Sequence, residues 1–223
     1  MGIKKYIKQS EFLSSAYILI QNHIIGGNKF AVKDNRLILS DAVLKHSVIN
    51  ISGKNNTVEI LKGTYFNNSR IIIYGNNNHI RIGENAILNS TELHIEDDGN
   101  LIDIGNKTTI EHNTEIATIE GNFVKIGEDC MISSDVRICT GDSHSLVDGN
   151  GRRINDSKSI TIGNHVWIGM RAVINKGTEI VNNCTVGACS LLSGKKYEEP
   201  YVIIAGVPAK VINRGVDWRR ERL

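Results

Sequence analysis

Apolar residues recur every six positions at Ile162, Ile168, Ile174, Ile180 and Val186. Each is followed four positions later by a smaller residue, at Val166, Ala172, Thr178, Cys184 and Ser190. Six is neither the helical period of about 3.6 nor the strand period of about 2, so a chain that keeps it makes a short strand and then a corner. The large and the small residue of each hexad then both point inward. Three hexads close one triangular coil of 18 residues. Upstream the pattern lengthens. The segments Ile60-Leu-Lys-Gly-Thr-Tyr65, Ile82-Gly-Glu-Asn-Ala-Ile87, Ile104-Gly-Asn-Lys-Thr-Thr109 and Ile126-Gly-Glu-Asp-Cys-Met131 begin 22 residues apart. Each is preceded by Asn, any residue, Val or Ile, any residue, Ile, as in Asn78-His-Ile-Arg-Ile82, and Ile38-Leu-Ser-Asp-Ala-Val43 reads as a degenerate earlier copy. About four extra residues per unit fall at Gly53-Lys-Asn-Asn56, Gly75-Asn-Asn-Asn78, Asp97-Asp-Gly-Asn100 and Glu120-Gly-Asn122. Gly and Asn tolerate positive φ and suit a stacked corner loop. The prediction is an all-β solenoid, since no single unit of such a repeat can bury its apolar face alone.

The repeat runs from about residue 38 to about 192 without a linker, so the 223 residues read as one solenoid with short ends. Residues 1–35 form an N-terminal cap or extension, either an amphipathic helix or an irregular cover for the solenoid end. Residues 36–195 form the β-helix domain, and residues 196–223 a C-terminal strand and basic tail. An apolar content of 40% with 5% aromatics suits a narrow core of Ile, Val and Leu. A net charge of +2 argues against general attraction to nucleic acid or membrane surfaces. The apolar stretch Phe12 to Ile25 is too short and too interrupted to span a bilayer and lacks a cleavage pattern, so a cytoplasmic protein is expected. Cys130 and Cys184 occupy the small inward position, and Cys139 and Cys189 lie in the same strands without a pairing pattern. The four thiols read as reduced and structural.

The pattern breaks once. After Ile138 the hexads stop, Gly141 to Asn155 intervenes, and the repeat resumes at Ile162, so Ile126 and Ile162 are 36 residues apart, 14 beyond one unit. A long polar excursion from a rigid stack is where a site is expected, and His144 is the one imidazole on this loop, residues 140–158.

With these elements in place the chain resembles the left-handed β-helix, or hexapeptide-repeat, acyltransferases. The residues that carry the resemblance are Thr140-Gly-Asp-Ser-His144, Ile160-Thr-Ile-Gly-Asn-His-Val-Trp-Ile-Gly169, Val186-Gly-Ala-Cys-Ser190 and Ala205-Gly-Val-Pro-Ala-Lys-Val-Ile212. With the hexads they cover about residues 80 to 214. Within that family the chain looks most like the sugar O-acetyltransferases. The loop with Asp148 and Arg153-Ile-Asn155 looks closest to the branch that modifies capsular polysaccharide, sialic acid or O-antigen. The resemblance implies a left-handed parallel β-helix with an extruded active-site loop, and acetyl transfer from acetyl-CoA to a sugar hydroxyl of a surface glycan.

That reaction needs a base for the hydroxyl proton and a donor for the oxyanion that follows. His144 fits the base, because an imidazole of ordinary pKa, about 6.5, is mostly neutral at cytosolic pH. Asp142, Asp148 or a loop carbonyl is placed to fix its tautomer, and Asp148 also counts among the acceptor-binding candidates. By resemblance the oxyanion donor is the backbone N–H of Met170, with direct attack on the thioester, no covalent intermediate and no metal. Trp167 precedes the inward Ile168 and faces outward, offering an indole to a sugar ring. Asn113 matches an acceptor-binding position of galactoside acetyltransferases. His79, His94, His112 and His165 read as structural or solvated, and their spacing matches no zinc motif.

For the cofactor, the resemblance points to Gly169, Ala188, Ser193, Gly206 and Pro208 along the pantetheine, with phosphates met by cations among Lys195, Lys196, Lys210, Arg214, Arg219, Arg220 and Arg222. The resemblance also implies a homotrimer with sites between subunits, and a flat solenoid face makes a poor pocket by itself. Two alternatives stand beside this reading. One is acyl transfer to an amino sugar or a small xenobiotic; the other is a non-enzymatic solenoid scaffold.

Overall fold

The computed structural model describes residues 11–223, and of residues 11–13 the backbone alone; residues 1–10 of the expected cap lie outside the described residues. From Lys29 onward the chain winds through three sheets of eight, eight and nine strands, here A, B and C, parallel except for the last strand of C. Each coil passes from C to A to B, so successive strands of one sheet are one coil apart in sequence. This is the left-handed parallel β-helix that the resemblance implies.

The register reproduces the two periods. In sheet B, Val58 pairs with Ile80, Ile80 with Ile102 and Ile102 with Val124. Corner bonds link residues 22 apart in these coils and 18 apart in the last ones. The large inward residues Ile162, Ile168, Ile174, Ile180 and Val186 are buried, as are the small Val166, Ala172, Thr178, Cys184 and Ser190. Burial pushes the Cys130 thiol up to about 11 and also raises Cys139 and Cys184, so these thiols stay neutral. Cys189 differs from expectation, because it sits exposed in a corner at φ 57° rather than in a strand.

The extra residues of the long coils lie at the corner from A to B. Asn55, Asn77, Asp97 and Glu120 take positive φ there. The asparagines that follow point inward and stack. The Oδ1 atoms of Asn56, Asn78 and Asn100 accept from the next coil's backbone, at Asn78 (2.9 Å), Asn100 (2.7 Å) and Asn122 (3.1 Å). Each buried amide thereby accepts from a backbone donor at the corner, and for Asn78 and Asn100 it is that donor's partner. At the corner from B to C the coils approach so closely that a Cβ on Gly105 would lie 2.4 Å from the Gly127 carbonyl carbon.

Three boundaries differ from the sequence reading. The early copy is in register through Leu39, which pairs with Ile60, not through Ile38. The solenoid begins inside the expected cap, because Lys29–Ala31 already joins sheet A. It also continues past residue 195, since Lys196–Tyr197 and Val202–Gly206 extend sheets B and C. The cap itself is the helix Glu11–Ile20 with a π-helical turn Gln21–Ile25. Asn22 fastens it to the first coil, donating to the Ala42 carbonyl and accepting from the Leu44 N–H, both at 2.8 Å. Among the described residues no helix is long and apolar enough to cross a membrane.

Beyond Val202–Gly206 the strand Ala209–Arg214 turns back antiparallel, and the tail then crosses the B/C corner. Trp218 stacks on His165 with ring centroids 4.2 Å apart, and its indole donates to the His165 carbonyl at 3.0 Å. Arg220 donates to Asp129, Thr109 and the carbonyls of Lys107 and Cys130.

Candidate active site

The inserted loop leaves sheet A after Cys139 and re-enters sheet B at Ile160, so it expands the same A/B corner that holds the asparagine stack. Bonds that span it link residues 36 apart. The loop is built around Asn155, whose side chain is buried. Its Oδ1 accepts from Leu146 N–H, and its Nδ2 donates to the His144 carbonyl and to Asp142, all at 2.8 Å. Two ion pairs brace this knot against the neighbouring coils. Arg153 grips Glu120 through both carboxylate oxygens at 2.7 and 3.1 Å, and Lys176 reaches Asp142 at 2.5 Å and the Asn155 carbonyl at 2.8 Å. The Lys176 bond, then the Asn155 bond, hold the Asp142 carboxyl below the ordinary carboxylate range. Arg153, then Ser157, do the same for Glu120.

The backbone of His144 is therefore fixed while its ring faces solvent. In a single chain, Asp142 is committed to Lys176 and Asn155. Asp148 is committed to its own turn, accepting from the N–H groups of Asn150 and Arg152 at 2.9 Å each. Neither carboxylate bonds the His144 ring, so of the three candidates for tautomer control the two carboxylates are spent on shaping the loop.

The remaining candidates lie elsewhere on the prism. Trp167 stands half-exposed on the outer face of sheet C, its indole N–H 3.3 Å from Ser133 Oγ and its ring 6.4 Å from that of Trp218. Met170, Ala188 and Asn113 belong to the C/A corner, where the Cys189 N–H donates to the Met170 carbonyl. Gly169 donates to the Val186 carbonyl in the same column, and the Gly206 N–H donates to Ser190 Oγ at 3.2 Å. Pro208 turns the adjoining hairpin. Ser193 and Lys195, by contrast, follow sheet A and lie on the A/B edge with His144. One chain thus divides the candidates between the two edges that flank sheet A.

Several cations expected at phosphates are engaged within the chain. Arg220 holds the tail down, Arg214 pairs with Glu199 at 3.0 Å and Lys196 with Glu179 at 2.8 Å. Lys195 lies over the Tyr197 ring at 5.1 Å. His165 is structural, held by Asp129 at 2.8 Å and by Trp218. The sequence reading missed Glu120 and Lys176. Both occupy A/B corner positions one coil away from the loop, a proximity that appears only once the coils are stacked.

A family model described as bacterial transferase hexapeptide (six repeats) matches residues 159–194. Galactoside O-acetyltransferase of Escherichia coli (strain K12) is 51% identical over 53 residues, which is 24% of this chain and 25% of that protein. The match thus spans about a quarter of that curated relative's length. The likeness to the crystal structure of the polysialic acid O-acetyltransferase OatWY is far more extensive, at 30% identity and a TM-score of 0.82 over 88% of this chain and 92% of that one. The chain belongs to the hexapeptide-repeat acyltransferases. Within that family, the polySia-specific acetyltransferase NeuO is similar too, with 29% identity and a TM-score of 0.80 over 87% of this chain and 83% of that one. In this hexapeptide-repeat acyltransferase the inserted loop is the largest departure from the regular coils, 14 residues beyond one unit.

Proposed function

We propose that this protein is an acetyl-CoA-dependent O-acetyltransferase that modifies a sugar hydroxyl of a surface glycan. The observation that carries the reading is the braced loop, which holds the backbone at His144 rigid and leaves its ring free at the edge of the prism. The near full-length likeness to two polysialic acid acetyltransferases supports the acceptor class.

In this reading the His144 ring accepts the acceptor's hydroxyl proton as the oxygen attacks the thioester carbonyl. The backbone N–H of Met170 stabilises the oxyanion, and the proton returns from His144 to the departing thiolate. Since His144 and Met170 lie on different edges, a complete site takes the A/B edge of one copy and the C/A edge of the next. Such an unlike contact makes a ring where its rotation closes, and the ring proposed here is a homotrimer with three equivalent sites. Trp167 and Asn113 then wall the acceptor, while Gly169, Ala188, Gly206 and Pro208 line the thioester's path. Lys210, which has no ion-pair partner among the described residues, is the cation best placed to meet a phosphate, with Lys195 from the neighbouring edge. The reading puts the protein's work in the cytoplasm, where the thioester is supplied.

The test is thiol release from acetyl-CoA against a panel of glycan acceptors, comparing wild type with His144→Ala. Turnover should fall by about 10² or more in the variant, the lower range for a lost general base. Unchanged turnover would refute His144 as the base. Tight acetyl-CoA binding without turnover on any glycan would refute the acceptor class.

A further inference from the structure

At the foot of the inserted loop the outer face of sheet A holds a cavity of about 100 Å³, lined by His94, Glu96, Glu115, Ala117, Arg137 and Cys139. Ser143, the residue before His144, lines it as well. The cavity crosses three strands, Glu92–Glu96, Glu115–Thr118 and Arg137–Cys139, whose register stacks His94, Ala117 and Cys139 in one outward column.

Two observations point to a ligand. Nε2 of His94 is buried with no hydrogen-bond partner, although Glu96 Oε1 lies 3.5 Å away. Such orphaned atoms are rare in folded proteins and demand an explanation. The column also ends on a small apolar floor, because Ala117 leaves space and Cys139, though outward-facing, is buried. Burial pushes the Cys139 thiol up, so the floor is uncharged.

The lining selects among ligands. Arg137 Nε already pairs with Glu115 at 3.2 Å, and Glu96 adds a second carboxylate, so a ligand carboxylate or phosphate would meet repulsion here. A neutral group that both accepts and donates, and ends in a methyl, fits every wall. We propose that this cavity is an acceptor subsite for the acetamido group of an N-acetylated sugar. The amide oxygen accepts from His94 Nε2–H in the tautomer that carries its proton there. The amide N–H donates to Glu96 or Glu115, and the methyl rests on Ala117 and Cys139. The subsite deepens the acetyl-transfer reading by naming a substituent of the acceptor, and rests on that reading for its link to His144. The bound sugar would lie beside the loop that carries the base.

The experiment has a binding arm and a turnover arm. Saturation-transfer NMR is run with α2,8-linked sialic acid oligomers and N-acetylglucosamine oligomers, each beside its de-N-acetylated form. The acetamido methyl should take up the strongest saturation, and the de-N-acetylated forms should bind at least tenfold more weakly. In the turnover arm, Ala117→Leu, which fills the floor from the solvent side, should raise the acceptor KM about tenfold, the lower range for one misfitting apolar group. Its kcat and its KM for acetyl-CoA should stay unchanged. His94→Leu should behave alike, and His94→Gln, which keeps a donor, should restore most of the affinity. Equal binding of N-acetylated and de-N-acetylated oligomers, or an unchanged KM in Ala117→Leu, overturns the subsite while leaving acetyl transfer intact. If no glycan is turned over, the glycan-acceptor reading fails, and the NMR arm still decides whether acetamido groups bind.

Discussion

The two halves of the solenoid solve the same corner differently. In the 22-residue coils the A/B corner is wide, the sheet A strands run to five residues, as in Arg70–Tyr74, and buried asparagines satisfy the backbone from coil to coil. In the 18-residue coils the sheet A strand Val173–Asn175 has three residues, and the corner is closed by Thr178, whose hydroxyl donates to the Asn175 carbonyl at 2.7 Å. The change occurs at the inserted loop. Ser159 ends the asparagine stack, donating to Asn122 Oδ1 at 3.0 Å and accepting from Phe123 N–H at 3.1 Å. The amides of the asparagine stack are used from coil to coil, so at this edge a loop can be inserted with least disturbance where one stack ends and the other corner has not begun.

Removing the junction would break that contrast most severely. Deleting residues 143–156, a stretch of 14, returns the spacing of Ile126 and Ile162 from 36 to a regular 22. The trimmed chain should keep its β-sheet circular dichroism and cooperative melting while losing all acetyl transfer, and loss of folding would show instead that the loop is structural. A smaller effect separates the two corners. Asn78→Ala orphans the buried Asn100 N–H and should cost about 1–3 kcal/mol in urea unfolding, whereas Thr178→Val removes one hydroxyl and should cost about 1 kcal/mol. Equal costs would mean that the asparagine stack is not what holds the wide coils. The smallest effect concerns the brace. Because the Asp142 carboxyl is held below its ordinary 3.8, its contribution is present above that value and lost as pH falls through the lowered one. In Lys176→Met the Asp142 titration followed by NMR should move upward, so the loop should loosen at a higher pH. Stability at pH 7 should change by less than about 1 kcal/mol, since the pair is partly solvated.

Much of the fold was legible because the hexads encode burial directly. A residue such as Ile168 is inward by period alone, and the break after Ile138 needs no tertiary knowledge to be seen. The exceptions have physical causes. Leu39 rather than Ile38 keeps register because the first coil is one residue short, and both are apolar, so the pattern could not choose between them. The site was less legible. His144 stood out as the one imidazole on the loop, but its partner stayed open among Asp142, Asp148 and a loop carbonyl, and folding commits both carboxylates to the loop's own shape. Arg220 was grouped with phosphate-binding cations from composition, and Asp129, its partner far back in sequence, gave no local signal.

The docked tail has a consequence for the order of folding. A solenoid is otherwise a line of neighbours, each coil touching only the next, and such a stack can fray from either end. Arg220 instead bonds to Thr109 and Lys107, 111 and 113 residues earlier, and to Asp129, while Trp218 lies on His165. Those groups come from three successive coils and converge only after the coils have stacked, so the tail can close only on a finished prism. It then acts as a latch. Unzipping from the C-terminal side must first release it, which turns a one-dimensional array into a molecule whose lifetime depends on a single late contact.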